Sequence, residues 1–198
     1  MTTILSLIAS FFMWMGADNS KAMAAEGKVA SQVSMTETAT FAAGCFWGSE
    51  EFFRKIPGVL DTKVGYTGGA KKADYEDVSR GNTGHAESVE IKFDPNRVSY
   101  EKLLTLFWKM HDPTTENAQG NDRGSQYRSA VFTHSEAQKQ SAMALKAKID
   151  KSKAWKQPVV TQIQAAETFY PAEDYHQKYL AKHPGGYDNH YLRDLNFN

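Results

Sequence analysis

One cysteine, Cys45, stands in a chain of 198 residues, so no disulfide within the chain can staple it and its order must come from burying an apolar core. The supply is adequate, with 41% hydrophobic and 12% aromatic residues in a length that suits one domain. Without a Cys-x-x-Cys pair there is neither a zinc knuckle nor a dithiol redox centre. Charge is equally restrictive. With 23 basic against 23 acidic side chains, nothing general draws the protein to nucleic acid or to an anionic membrane.

The N-terminus differs in composition from the rest. Residues 4–16 (ILSLIASFFMWMG) are uncharged, apolar and too few to cross a bilayer comfortably, and Ala22-Met23-Ala24 has the small-x-small form of a cleavage site. The pattern predicts a secretory signal peptide over residues 1–24, an extracytoplasmic, periplasmic location, and no membrane attachment after cleavage. Because no Lys or Arg precedes the apolar run, an uncleaved anchor is the alternative. Residues 25–37 are small and polar without periodicity and are expected to be a flexible linker, leaving 38–198 as the folded domain.

Within that domain the hydrophobic periods change in a regular order. Residues 38–43 (TATFAA) are a short strand-like run, and Gly44 turns it into a segment in which Phe52, Phe53 and Ile56 share one helical face. Glu50 with Arg54 and Glu51 with Lys55 form i,i+4 pairs on the opposite face, and Pro57-Gly58 is the stop. Residues 59–66 predict a second strand. After a loop, residues 87–93 alternate, with Glu87, Val89, Ile91 and Phe93 on one face and Ser88, Glu90 and Lys92 on the other. Ser99 caps a helix over 99–110 that carries Leu103, Leu104, Phe107 and Trp108, and residues 112–125 follow as a long polar loop. A strand over 128–133, a helix over 135–151 capped by Ser135 and a strand over 159–164 complete the pattern. Residues 170–198 are aromatic and irregular, with one short helix near 173–182. The order strand, helix, strand, strand, helix, strand predicts a ferredoxin-like two-layer α/β (α+β) sandwich: a mixed β-sheet, helices on one face, and an irregular C-terminal extension.

Chemistry concentrates at Gly44-Cys45-Phe46-Trp47-Gly48. A cysteine between a strand and a helix meets the free N–H groups of the helix start, which lower thiol pKa values and make it a nucleophile candidate; packing as a small buried hydrophobe is the alternative. Phe46 and Trp47 either line an apolar pocket or belong to the core. Glu87 shares its face with three apolar residues, where a carboxyl has a raised pKa suited to a general acid, unless it sits at the strand end and turns back to water.

The runs GCFWGSEEFF (44–53), PGV (57–59), GYTGG (65–69), YEDV (75–78), GNTGHAE (81–87), HDPT (111–114) and GNDRGSQYRS (120–129) stand in this order. Over about 41–187 the chain resembles the A-type peptide methionine sulfoxide reductases. The resemblance implies that 38–198 is a reductase domain acting on methionine S-sulfoxide, free or in oxidised proteins and peptides. It makes Cys45 the nucleophile that passes through a sulfenic acid and Glu87 the acid on the sulfoxide oxygen, assisted by Tyr75 and Tyr127. Phe46 and Trp47 would cage the methyl group, and Asp122 would position the substrate main chain. No bound cofactor is implied, a thioredoxin-like protein or small thiol is the external reductant, and a monomer is expected.

Many members of that family carry further cysteines near the C-terminus that resolve the sulfenic acid. Here none follows Cys45, so the recycling half of the reaction must differ. The sequence leaves two other readings open. One of the six histidines could act as base to Cys45 in a Cys-His thiol hydrolase or acyltransferase, and the aromatic residues could form a binding module that needs no thiol. His176, His183 and His190 recur every seven residues, but Pro184-Gly185-Gly186 breaks any helix between the last two and no metal site is expected.

Overall fold

The computed structural model describes residues 35–197. The expected signal peptide over 1–24 and most of the expected linker over 25–37 lie outside the described residues. The elements are β1 (Glu37–Ala43), α1 (Phe46–Phe53), β2 (Val59–Thr67), α2 (Tyr75–Ser79), β3 (Ala86–Phe93), α3 (Tyr100–Met110), β4 (Ala118–Gln119), β5 (Asp122–Arg123), a 3-10 turn (Ser125–Tyr127), β6 (Ser129–Thr133), α4 (Glu136–Ser152), β7 (Gln162–Ala165), β8 (Tyr170–Pro171) and α5 (Tyr179–Lys182). No helix among the described residues is long and apolar enough to cross a membrane.

Six strands form one sheet in the order β7-β6-β1-β3-β2-β8. Its inner part, β6-β1-β3-β2, is antiparallel throughout and has the split βαβ arrangement expected from the periodicity. The parallel pairing of β7 with β6 makes the sheet mixed, and β8 extends the other edge. Phe41 of β1 and Val89, Ile91 and Phe93 of β3 pack against Leu103, Leu104, Phe107 and Trp108 of α3 and against Ala142 and Ile149 of α4. Burying such side chains contributes about 1.5–3 kcal/mol each, so this layer dominates the cohesion of the domain. Helix starts follow local chemistry: Ser99 accepts from Lys102 N at 3.2 Å and Ser135 from Gln138 N at 3.2 Å.

Several expectations need correction. β1 starts at Glu37, inside the expected linker, because its pairing with β3 begins there. α1 ends at Phe53, so Ile56 lies beyond it, although Ile56 still packs on the core. Glu50 is buried rather than paired with Arg54; both Arg54 and Lys55 turn to Glu51, each at 2.5 Å. The loop before β3 contains α2, capped by Asp74, which accepts from Asp77 N at 3.0 Å. The polar loop over 112–125 folds back as the β4–β5 hairpin. The last expected strand is displaced to Gln162–Ala165, and the C-terminal helix shrinks to Tyr179–Lys182.

Candidate active site

Gly44 ends β1 with φ +93°, a left-handed conformation that suits glycine, and a Cβ there would lie 2.5 Å from Gln119 Cβ. The turn delivers Cys45 to the N-cap of α1, where its sulfur makes no capping hydrogen bond but lies under the influence of the N–H groups of Trp47 and Gly48. These groups favour the thiolate but do not prevail. With Cys45 only 8% exposed, burial first and the negative charge of Glu87 second push the thiol well above its ordinary range. The expected lowering is thus reversed, because desolvation outweighs the helix-start donors.

Glu87 enters from β3, directly across from Tyr66 of β2. It is 4% exposed and accepts from Phe46 N at 3.1 Å. Burial, with the charge of Asp122 adding to it and the Phe46 N–H opposing it, pushes the carboxyl up to about 8. At neutral pH it therefore holds a proton beside the thiol.

An apolar wall stands next to this pair. Phe46 packs with Val64, Tyr66, Ala73, Val78 and Ala172, and Trp47 and Tyr75 border the cluster. Trp47 stacks on Tyr179 at 3.8 Å between centroids and donates its indole N–H to His176 Nδ1 at 3.0 Å. Tyr75, at the start of α2, has its ring 4.7 Å from His176 and its backbone N–H on Glu173 Oε1 at 3.0 Å. Tyr127 closes the 3-10 turn. Burial raises both phenols, and the charges of Glu87 and Cys45 add to the rise in each, which places these groups in one electrostatic neighbourhood. Asp122, on β5, acts on Glu87, Cys45 and Tyr127 and accepts from Tyr187 Oη at 3.2 Å and Asn189 Nδ2 at 3.0 Å. The structure thus gathers Cys45, Phe46, Trp47, Tyr75, Glu87, Asp122 and Tyr127 into one site from α1, α2, β3, β5 and the 3-10 turn.

Residues 37–196 match the family model for peptide methionine sulfoxide reductase. The chain belongs to that family. It is similar to peptide methionine sulfoxide reductase MsrA of Methanosarcina mazei, with 58% identity over 147 residues that cover 74% of this chain and 70% of the relative. Among solved structures it resembles Mxr1 of Saccharomyces cerevisiae in reduced form, at 38% identity and a TM-score of 0.76, over 80% of this chain and 93% of Mxr1. It also resembles Mxr1 in complex with Trx2, at 26% identity and a TM-score of 0.56, over 85% and 97% of the two chains. The protein is an A-type methionine sulfoxide reductase, an oxidoreductase that returns methionine sulfoxide to methionine and so repairs oxidised protein.

No histidine hydrogen-bonds to the thiol among the described residues, which leaves the Cys-His reading unsupported. His85 meets Lys71 O at 2.6 Å, and His111 meets Phe107 O and Ser129 Oγ at 2.7 Å each. His134 bonds Thr40 Oγ1 at 2.8 Å, and His190 bonds Ala43 O at 2.7 Å. His183 packs on Tyr179 with 4.6 Å between ring centroids, while His176 is taken by Trp47. No group of three or more His, Cys, Asp or Glu among the described residues is arranged to hold a metal ion.

Sequence reasoning missed the support around the site. Glu173 accepts from Tyr66 Oη at 3.1 Å as well as from Tyr75 N, and His176 is the acceptor that orients Trp47. The Trp47 indole can only donate, so His176 Nδ1 must be unprotonated and the neutral ring carries its proton on Nε2. The aromatic composition of the C-terminal segment was the one available signal; the pairings themselves span about a hundred residues and leave no local pattern.

Proposed function

We propose that Cys45 is the nucleophile and Glu87 the general acid of a thiol-dependent reduction of methionine S-sulfoxide, free or within a polypeptide. The observation that carries this reading is the buried, proton-holding Glu87 carboxyl fixed on Phe46 N beside a thiol at a helix start. The substrate methyl group packs against Phe46 and Trp47, its oxygen meets Glu87 with the phenols of Tyr75 and Tyr127 alongside, and Asp122 receives the main chain. As Sγ of Cys45 bonds to the sulfoxide sulfur, Glu87 passes its proton to the oxygen and regains one from the thiol. Transfer of the hydroxyl to Sγ then releases methionine and leaves Cys45 as a sulfenic acid.

No second thiol exists in the chain, so an outside thiol condenses with the sulfenic acid, releasing water and forming a mixed disulfide that a further thiol opens. A thioredoxin-like protein fits that role, as the solved complex of Mxr1 with Trx2 suggests for a relative, and the cycle needs no bound cofactor. The leader-like residues 1–24 favour an extracytoplasmic enzyme, acting as a monomer.

Racemic methionine sulfoxide in a blocked peptide, incubated with the protein and a small dithiol, tests the reading. Only the S epimer should disappear, and Cys45→Ser should abolish the reaction. After one turnover without dithiol, mass spectrometry should find about 16 Da added at Cys45, the oxygen of the sulfenic acid. Equal loss of both epimers, or an active serine variant, would overturn it.

A further inference from the structure

Asn189 belongs to the irregular C-terminal segment, yet its side chain fastens the hairpin that carries Asp122. Its Nδ2 lies 3.0 Å from Gln119 O, 3.0 Å from Asp122 Oδ2 and 3.1 Å from Tyr187 Oη. The carbonyl and the carboxylate can only accept, which fixes the amide with its nitrogen toward them. Tyr187 in turn donates to Asp122 Oδ1 at 3.2 Å, so both oxygens of Asp122 are held by the C-terminal segment. Asn189 Oδ1 is left buried and without a hydrogen-bond partner. Leaving a buried acceptor unsatisfied is unfavourable, so the placement of this residue is set by what its nitrogen holds.

The hairpin needs such a fastener. β4 and β5 have two residues each, and a hairpin that small has no stability of its own. On its other side the Gln119 amide bridges Asp112, accepting from the backbone N–H at 3.2 Å and donating to the carbonyl at 3.2 Å, while the Cβ of Gln119 fills the space that Gly44 leaves open. Asn189, bonded to both Gln119 and Asp122, thus joins the two strands of the hairpin to the C-terminal segment beside the Cys45 turn, with Tyr187 adding a bond to Asp122 alone.

We propose that Asn189 is a positioning residue of this reductase, holding the Asp122 carboxylate where the N–H groups of a sulfoxide-bearing polypeptide meet it. The inference rests on the reading of Asp122 as the residue that receives the substrate main chain. Its test is the dependence of single-turnover rate on the concentration of a blocked peptide containing methionine S-sulfoxide, for the full chain and for Asn189→Ala, Asn189→Asp, Asp122→Ala and the double Asn189→Ala, Asp122→Ala. The half-saturating concentration should rise about tenfold in Asn189→Ala, the scale of losing a hydrogen bond to a charged group, while the rate at saturation stays within about threefold. Asn189→Asp has the same size and sets a second carboxylate against the first, so its half-saturating concentration should rise further. In the double variant the value should equal that of Asp122→Ala alone, because one residue acts through the other. If Asp122→Ala binds the peptide normally, the reading of Asp122 falls. If Asp122→Ala binds poorly while Asn189→Ala and Asn189→Asp bind normally, or if the two losses multiply in the double variant, the role of Asn189 falls and that of Asp122 stands.

Discussion

Two buried glutamates meet at α1, Glu50 carried by the helix and Glu87 bonded to its first residue from β3, and their surroundings make opposite uses of the same side chain. Glu50, 1% exposed, accepts from Thr62 Oγ1 at 3.0 Å, from Lys178 N at 2.7 Å and from Lys178 Nζ at 3.0 Å. Lys178 also donates to the Thr62 carbonyl and pairs with Asp61 at 3.4 Å, so the carboxylate sits in a closed set of donors that includes a cation. Glu87 receives one N–H, from Phe46, and its charged neighbour is the like charge of Asp122. A buried carboxylate surrounded by donors and a cation is a tie, whereas one given a single donor holds its proton and has it to spend. The first fastens α1 to β2 and to the segment that bears His176 and Tyr179. The second faces the thiol.

The sharpest way to break this contrast is to remove the proton of Glu87 while keeping its shape. Glu87→Gln retains the acceptor for Phe46 N and should fold as the native chain does, yet sulfenic acid formation should slow by about 10²–10⁴-fold, the range of a general acid. Rapid-quench single-turnover measurements at saturating peptide provide the value. A loss below about tenfold would move the role to the phenols of Tyr75 and Tyr127 or to solvent.

Glu50 should show the reverse pattern. Lys178→Met removes the ammonium and leaves a buried carboxylate without its cation, which should cost about 3–5 kcal/mol of folding stability. Urea unfolding under reducing conditions measures that loss, and the saturating single-turnover rate of the folded fraction should stay within about threefold of native. A stable variant with a collapsed rate would mean that Glu50 belongs to the chemistry after all.

The two glutamates also mark where sequence stops being informative. Glu87 was placed correctly on a buried face because strand alternation is local, running through Val89, Ile91 and Phe93 in a single element. The same locality made the sandwich legible: periods of two and 3.6 residues, with Ser99 and Ser135 as helix starts, can be seen within windows of a dozen residues. Glu50 was misjudged because its spacing from Arg54 is that of a surface pair, while its true partner lies 128 residues away. Cys45 was found from its turn, but the direction of its pKa was not, since helix-start donors are visible locally and burial by distant segments is not. α2, five residues long, is shorter than the pattern needed to detect it.

A pH series isolates the proton held by Glu87. Glu87 is raised from 4.5 to about 8 in the folded protein, so between those values the folded chain keeps a proton that the unfolded chain has released. Stability from this group is therefore fully present below about pH 4.5 and is lost as pH climbs through about 8. At about 1.4 kcal/mol per pKa unit, ionisation of Glu87 weakens the fold by a few kcal/mol over that window. Glu87→Gln cannot ionise. Its stability relative to the native chain should be near zero difference at pH 4 and should grow more favourable toward pH 8.5, in urea titrations run at each pH. Parallel curves for Glu87→Gln and the native chain would show that Glu87 is not the group carrying the elevated proton affinity, and with it the distinction between the two glutamates would be lost.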